Sequence, residues 1–197
     1  NREFRDFLAS HDSGSFKGLS LNRDEQPVVQ VSWEQAALFC NWLSKKEGLP
    51  QVYIKKGEEL FAQDPLSTGY RLPTEAEWEY SARFANNKVS MIYPWGDTFP
   101  PQSKVLNIAD LSTKDLLPVY LGKYDDGYSI TAPVSSFKPN ALGLFDLGGN
   151  VAEWCHDYYS IYSFSPTALY QDPTGAEQGK HHLVRGSSWR QSSISAL

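Results

Sequence analysis

Apolar residues recur at helical spacing in a stretch that begins with a recognisable cap. In VSWEQAALFCNWLSKKEGLP, Ser32 stands at the N-cap position and Gln35 follows three residues later, which is the sequence of a capping box. Gly48 and Pro50 are residues that end a helix. The apolar positions of the segment are Trp33, Ala36, Ala37, Cys40, Trp42 and Leu43. They approximate one stripe of a helix, so the pattern predicts a helix beginning after Ser32.

Two further segments favour helices. RLPTEAEWEYSARF repeats the capping box, with Thr74 as the N-cap and Glu77 at the third helical position. The N-terminal NREFRDFLAS is predicted to end another helix. Their apolar residues are Trp78, Ala82 and Phe84 in the first of these segments and Phe4, Phe7 and Leu8 in the second. Strand signals are short, and they predict strands over residues 51–54, 132–137 and 182–185.

The composition indicates a domain rich in irregular structure. The 197 residues include 6 Trp, 11 Tyr, 10 Phe, 14 Gly and 12 Pro. Gly and Pro interrupt regular elements, and large rings fill the space between loops. No repeat or linker divides the chain. We therefore expect one α+β domain, loop-rich and irregular, over residues 1–197.

Charge and hydropathy exclude two classes of partner. The formal net charge is -5, from 18 basic and 23 acidic residues, and no basic face for nucleic acid is visible. No apolar run reaches the roughly 18 residues that cross a bilayer. No signal peptide is visible, and the chain starts at Asn1 and stops after SISAL, so we expect a piece of a longer polypeptide, truncated at both ends.

The two cysteines, Cys40 and Cys155, are too few for a disulfide scaffold or a zinc site. Both are expected to be small buried apolar residues, although a disulfide in an oxidising compartment stays open. Five tryptophans are expected in the core, namely Trp33, Trp42, Trp78, Trp95 and Trp154. Trp189 could be either buried or a stacking surface for a ligand.

Two polar clusters have the residues of a cation site. Asp125 and Asp126 precede Gly127, where a sharp turn could aim backbone carbonyls and carboxylates at one point, as calcium requires. An Asx turn is the alternative for this cluster. In LGGNVAEW, Asn150 and Glu153 are three residues apart, which is also the spacing of a local helix cap. From the residues alone, turn and cap are the default interpretations.

The chain resembles the sulfatase-modifying-factor domain typified by formylglycine-generating enzyme. The matching blocks occur in the family's order from Pro27 onward: PVVQVSWEQAALFCNWLSKKEG, YRLPTEAEWEYSAR, YPWGD, NI…DDGY…TAPVSSFKPNALGLFDLGGNVAEW and VRGSSWR. The resemblance implies an irregular α/β domain related to C-type lectin folds. It also favours a periplasmic or other extracytoplasmic location.

The resemblance further implies that both polar clusters hold structural calcium. The first site would comprise Asn107, the Ile108 carbonyl, Asp126 and the Tyr128 carbonyl. The second would comprise Asn150, Glu153 and the carbonyls of Gly148 and Val151.

The family's copper chemistry lacks its ligands in this sequence. Formylglycine-generating enzymes resemble copper oxidases with two cysteines near R-G-G-S-x-x-C-x-x-x-x-C, and thiolate is a soft ligand suited to Cu(I). In VRGSSWRQSSISAL, Arg185, Gly186 and Ser188 match, but Gln191 and Ala196 stand at the thiol positions. We therefore expect no formylglycine formation.

A related branch resembles non-haem iron enzymes with a His triad. The histidines here are His11, His156, His181 and His182. No third ligand of suitable spacing accompanies the His156-Asp157 pair, so surface or loop histidines are expected. Ser188 lacks an identifiable base for nucleophilic catalysis.

Three functions remain open. The favoured one is a non-catalytic, calcium-stabilised recognition or scaffold module for a protein or peptide ligand. The resemblance places its ligand-binding residues in and after the RGSSW block, namely Arg185, Ser188, Trp189, Arg190 and Gln191. The alternatives are a formylglycine-generating oxidase acting on a protein cysteine and a related non-haem iron enzyme.

Overall fold

The computed structural model describes residues 1–57, 59–63, 66–84, 90–161, 171–176 and 178–193, and contains the three predicted helices. They are α1 (Arg2–Phe7), α2 (Trp33–Lys46) and α3 (Glu75–Arg83). Both capping boxes are confirmed, because the side chains of Ser32 and Thr74 each accept a hydrogen bond from the backbone of the third helical residue, whose own side chain bonds back. Local sequence signals therefore placed both helix starts.

Six short strands form three antiparallel pairs. They are β1 (Ser15–Phe16) with β2 (Leu19–Ser20), β3 (Tyr53–Lys56) with β4 (Glu59–Ala62), and β5 (Glu153–Tyr158) with β6 (His182–Arg185). The prediction for β6 is confirmed. The strand predicted at 51–54 lies two residues further on as β3, and a register irregularity interrupts β5 between Trp154 and Tyr158. A 3-10 turn at Leu111–Thr113 completes the described elements.

The strand predicted at residues 132–137 is wrong, since this segment is a loop. The Asn150 side chain takes the place of a neighbouring strand: its Oδ1 accepts from the Ala132 N–H at 2.9 Å, and its Nδ2 donates to the Ala132 carbonyl at 3.2 Å. Pro133 has no N–H to offer a ladder, and Ser135 adopts a φ of 62°. A segment with a short strand signal thus belongs here to a loop held by a side-chain amide.

Buried side chains supply the hydrogen bonds that irregular backbone lacks. Asn41 of α2 accepts from the N–H groups of Val52 and Tyr53 at 3.2 and 3.1 Å and donates to the Tyr53 carbonyl at 2.6 Å. The Tyr124 hydroxyl accepts from Val105 and Leu106 and donates to the Leu106 carbonyl. Because unpaired buried backbone groups are costly, these side chains make a loop-rich interior possible.

The apolar interior consists of several small clusters. Trp78 packs with Ala82 and Cys155 between α3 and β5, and Cys40 lies in another cluster beneath α2. Both cysteines are buried and unpaired, as expected for small apolar residues. Trp78 and Trp189 are buried, whereas the other four tryptophans are partly exposed, so the prediction that five tryptophans other than Trp189 form the core is only partly right.

Candidate functional site

The structure brings most of the first predicted cation cluster together. Asp126 accepts hydrogen bonds from the Ile108 N–H through Oδ2 at 3.1 Å and from the Tyr128 N–H through Oδ1 at 2.7 Å. The second of these bonds is an Asx turn over Gly127, the alternative that the sequence left open. The turn holds the Asp126 carboxylate beside the two residues whose carbonyls the sequence assigns to the site.

Asp110 is a second buried carboxylate that sequence reasoning missed. It accepts a short hydrogen bond from the Asp126 N–H and a 2.9 Å bond from the Ser112 N–H, while the Ser112 hydroxyl donates to the Tyr128 carbonyl at 2.6 Å. Burial, together with the negative charge of Asp110, raises the pKa of Asp126 to about 7. The signal available in the sequence was the short spacing in NIAD, which puts a carboxylate three residues after Asn107.

Two oxygens of this cluster have no hydrogen-bond donor in the described part of the chain. The Nδ2 atom of Asn107 donates to the Ile130 carbonyl at 2.8 Å and to Asn150 Oδ1 at 3.2 Å, but its Oδ1 is buried without a hydrogen bond. No donor among the described residues contacts the buried Ile108 carbonyl either. A buried oxygen without a donor is costly unless a positive partner satisfies it. A calcium ion bound here would be the positive partner of these two oxygens.

The second predicted cluster is organised around Asn150, which is 1% exposed. Its N–H donates to the Asn107 carbonyl at 2.7 Å, and its own carbonyl accepts from the Trp189 N–H at 3.0 Å. Since its Oδ1 already accepts from Ala132 and Asn107, both lone pairs of the amide oxygen are occupied in this arrangement. Asn150 therefore ties three loops together.

Glu153 lies at the start of β5 and contacts helix α3. Its Oε2 accepts from the Trp78 indole N–H at 2.6 Å, and burial raises its pKa to about 7. No hydrogen bond joins Glu153 to the Asn150 side chain in the described part of the chain. The helix-cap alternative for this pair is wrong, because β5 begins at Glu153.

The two glycines before Asn150 are required for close packing. A Cβ at Gly148 would lie 2.4 Å from the Trp95 ring, and a Cβ at Gly149 would lie 2.5 Å from the Asn107 carbonyl oxygen. Neither distance leaves room for a side chain. The absence of a side chain at Gly149 thus allows the second cluster to approach the first. Val151 belongs to the same turn, because its N–H donates to the Gly149 carbonyl.

Gln191, at one of the two thiol positions, is held in a turn. Its N–H donates to the Ser188 carbonyl at 2.9 Å, and its carbonyl accepts from the Ala109 N–H at 3.0 Å. Its side-chain oxygen accepts from the hydroxyls of Ser187 and Ser188 at 3.2 and 3.4 Å. Ala196, at the other thiol position, lies outside the described residues.

A cavity of about 410 Å³ adjoins this turn and is lined in part by Ser188, Trp189 and Arg190. Trp189 is only 4% exposed and packs edge-on against Phe16, with the ring centroids 5.1 Å apart. The exposed Arg190 guanidinium lies 4.8 Å from the centroid of the Phe16 ring. Three of the five predicted ligand-binding residues therefore meet at this cavity, whereas Gln191 is not among its lining residues. Phe16 is a lining residue that the sequence did not reveal.

Arg185 lies away from that cavity. It forms ion pairs with Glu75 at 3.5 Å and with Glu79, and its guanidinium lies 4.9 Å from the centroid of the Trp78 ring. Its neighbour Val184 lines the cavity instead, as expected from the alternation of side chains along a strand. The structure thus places Arg185 against α3 and separates it from the other candidate ligand-binding residues.

The expectation that the histidines lie on the surface or in loops is wrong for His156 and His182, which belong to β5 and β6, whereas His11 is a buried loop residue. His11 and His156 are each 9% exposed, and His182 is stacked between Trp33 and Tyr158. Only His181 is exposed. No group of three or more His, Cys, Asp or Glu residues suited to a metal occurs within the residues that the structure describes. Among those same residues, no helix has the length and hydropathy to span a membrane.

Known proteins are similar to this chain over most of its length. Formylglycine-generating enzyme of Thermomonospora curvata is 34% identical over 85% of this chain and 46% of its own length. The protein of Mus musculus named inactive C-alpha-formylglycine-generating enzyme 2 is 32% identical over 84% of this chain and 38% of its own length. The chain thus spans less than half of each of these relatives.

Solved structures show a similar fold. Treponema denticola variable protein 1 superposes with a TM-score of 0.71 at 27% identity, covering 99% of this chain and 72% of that one. PvdO from Pseudomonas aeruginosa superposes with a TM-score of 0.56 at 26% identity, covering 86% and 52%. The sulfatase-modifying factor enzyme 1-like domain matches residues 2–196. The chain, a single loop-rich α+β domain, therefore belongs to the formylglycine-generating enzyme-sulfatase family.

Proposed function

We propose that this chain is a non-catalytic recognition module of its family, stabilised by calcium. The observation that carries the proposal is the Gln191 side chain, a neutral amide held by two serine hydroxyls where the family's copper chemistry needs a thiolate. An amide oxygen is a hard donor and a poor ligand for Cu(I).

Neither cysteine replaces the missing ligand. Cys40 and Cys155 lie in separate apolar clusters, and burial raises the pKa of their thiols to about 11 and about 12. The thiolate is the form that binds metals, and at neutral pH both thiols stay protonated. The similarity to a mouse relative named as inactive supports a family member without turnover, while similarity to active enzymes keeps the oxidase as the alternative.

Calcium is supported by the chemistry of the donor set. Asn107 Oδ1 and the Ile108 carbonyl are buried oxygens without donors, and the Asp126 carboxylate is hydrogen-bonded to the Ile108 N–H. Hard oxygens of mixed backbone and side-chain origin are what calcium takes. The two buried carboxylates, Asp126 and Asp110, repel each other when both are ionised, and a bound cation would relieve that repulsion. In this proposal the first loop, with Asp110 added to the predicted set, is the stronger calcium site.

Recognition is proposed for the cavity beside Trp189. Its lining combines apolar side chains with one exposed cation, Arg190, above the Phe16 ring. This combination suits a protein or peptide segment that inserts an apolar side chain next to an acidic group. The proposed relation to C-type lectin folds, in which loops present the binding surface, agrees with this placement.

The catalytic alternative is tested by incubating the protein with copper and a cysteine-containing peptide of the sulfatase type, and then searching for the aldehyde by mass spectrometry. The formylglycine-generating enzyme of Streptomyces coelicolor, 35% identical to this chain, serves as the positive control. We expect no aldehyde. Product that forms with copper and disappears on copper chelation overturns the non-catalytic proposal.

The calcium proposal has a matched pair of variants in neighbouring positions. Asp126 is buried and Asp125 is exposed, so Asp126→Asn should abolish stabilisation by calcium while Asp125→Asn should preserve it. At a hundredfold excess over its dissociation constant, calcium should raise the free energy of unfolding by about 2.7 kcal/mol. A melting temperature that is equal in calcium and in a chelator would refute the calcium assignment.

A further inference from the structure

A second cavity, of about 360 Å³, lies between α2, the β3–β4 hairpin and the β5–β6 pair. Its lining includes Trp33, Phe61, His156, Tyr158 and His182, and none of these residues lines the cavity beside Trp189. The volume falls within the range typical of small-molecule sites. The histidine cavity, as we call it, is independent of the calcium loops and of the proposed function.

The ring of His182 is fixed in position and in tautomer. It stacks on Trp33 at a centroid distance of 3.6 Å with an interplanar angle of 2°, and on Tyr158 at 4.0 Å. Its Nδ1 lies 3.0 Å from the His156 carbonyl and 3.2 Å from the Asp157 carbonyl. Carbonyls only accept, so Nδ1 carries the proton and the Nε2 atom of the neutral ring has a free lone pair.

His156 has the opposite tautomer. Its Nδ1 lies 3.1 Å from the Tyr53 hydroxyl, which also accepts from the Leu72 N–H at 3.1 Å. Tyr53 is 1% exposed, so its single hydroxyl hydrogen must find an acceptor, and His156 Nδ1 is the one available. The proton of the neutral His156 ring is therefore on Nε2, which acts as a donor.

Neither Nε2 atom has a hydrogen-bond partner among the residues that the structure describes, and both histidines line the cavity. Burial lowers the pKa of both histidines, so at neutral pH the cavity offers one donor and one acceptor and carries no imidazolium charge. Each ring is held through its Nδ1 atom, His156 by Tyr53 and His182 by backbone carbonyls, which leaves Nε2 available to a ligand.

The remaining lining determines what charge a ligand can carry. Among the described residues, no lysine or arginine lines the cavity, and the adjoining cavity, which shares Trp33 and His182, is lined by Glu34 and Glu59. An anion would therefore lose its hydration without gaining a cation. The His156 N–H, in turn, disfavours a cationic group at its position.

We propose that the histidine cavity binds a small, neutral, flat heteroaromatic molecule whose carboxamide group accepts from His156 Nε2–H and donates to His182 Nε2. The apolar lining residues Leu60, Phe61 and Leu66 would contact the ring of the ligand. A carboxamide combines one donor and one acceptor on a flat neutral group, which matches the two histidines and the absence of charge.

The test uses nicotinamide as the probe and nicotinate as its matched anion. Binding is followed by NMR of the histidine ring nitrogens in the intact chain. We expect saturable shifts of both His156 and His182 with nicotinamide and at least about tenfold weaker binding of nicotinate, because the anion cannot donate to His182. Equal binding of the two probes, or no saturation with nicotinamide, overturns the proposal.

Two variants are designed to keep the outer contacts of the rings. His182→Asn leaves an amide donor for the His156 carbonyl but removes the Nε2 acceptor, and the exposed neighbour His181→Asn is the control. We expect His182→Asn to weaken nicotinamide binding by about tenfold and His181→Asn to leave it unchanged. Equal effects of the two substitutions contradict the proposal.

The tautomers provide a check that does not depend on any variant folding. The ring-nitrogen spectrum of the unsubstituted protein must show the proton on Nδ1 of His182 and on Nε2 of His156. Any other pair of tautomers removes the donor–acceptor pattern and overturns the proposal.

Discussion

Replacement of Trp189 by alanine tests whether this residue belongs to the core or to the ligand surface. The side chain is 4% exposed and packs in a cluster with Leu21, Ala109 and Leu117. Its backbone N–H, which donates to the Asn150 carbonyl, is unaffected by the substitution. The measured change therefore reports on the indole ring alone.

The expected loss follows from the burial. A buried aromatic side chain removes about 150–250 Å² from water, which at about 25 cal/mol per Å² is worth roughly 4–6 kcal/mol as an upper bound. Measured replacements of buried aromatic residues by alanine cost about 3–5 kcal/mol, and we expect Trp189→Ala to fall in that range. For a domain of this size each kcal/mol moves the melting temperature by about 2–4 °C, so the shift should be about 6–20 °C.

The assay is urea unfolding and thermal melting in saturating calcium, so that any loss of cation binding does not add to the loss of packing. Arg190→Ala is the control, because Arg190 is exposed and contacts the same Phe16 ring from outside. It should cost no more than about 1 kcal/mol. If Trp189→Ala costs less than about 1 kcal/mol with an unchanged denaturant slope, the ring is not part of the core and the reasoning from burial is refuted.

Three other outcomes are expected. Burial raises the pKa of Asp126 and of Glu153 to about 7, above the ordinary carboxyl values, so the calcium-free folded protein holds protons that the unfolded chain has released. The stability that these two groups contribute is full below the ordinary carboxyl pKa values and is lost as pH rises through about 7. The melting temperature should therefore drop more between about pH 5 and about pH 8 in a chelator than in calcium, and parallel curves would contradict this. Asn41→Ala leaves two N–H groups and one carbonyl without partners and should cost at least about 3 kcal/mol in urea unfolding, whereas a cost below about 1 kcal/mol would show that water replaces the amide. Gly149→Ala drives a Cβ against the Asn107 carbonyl and should weaken calcium binding in calorimetry, and wild-type affinity would show that the loops can separate.

The helices were predictable because their signals are local. The capping boxes at Ser32 and Thr74 lie within four residues of sequence, and both are formed as the sequence indicates. Strand β5 was missed because its partner β6 is distant along the chain, and a register irregularity interrupts its alternation. The pairing of strands that are distant in sequence depends on tertiary packing, which a short stretch of sequence does not reveal.

The candidate site could be outlined from the sequence only where a family block supplied residues. Asp126 and Asn150 became candidates by their positions in those blocks, whereas Asp110 contacts Asp126 through a short hydrogen bond that no motif indicated. The roles of His156 and His182 could not be predicted from the sequence for a different reason. The tautomer of each ring is set by contacts with Tyr53 and with the carbonyls of residues 156 and 157, and these are visible only in the fold.

Backbone hydrogen bonds join the loops of the proposed calcium sites to the turn beside the Trp189 cavity. The Asn150 N–H donates to the Asn107 carbonyl, the Trp189 N–H donates to the Asn150 carbonyl, and the Ala109 N–H donates to the Gln191 carbonyl. A cation that orders the loop around Asn107 therefore also orders the turn that carries the cavity wall. Coupling between two binding sites is reciprocal. If calcium strengthens the binding of a ligand that prefers the ordered turn, that ligand must strengthen calcium binding by the same factor. If both proposed sites are occupied, a calcium ion would thus influence recognition without contacting the ligand.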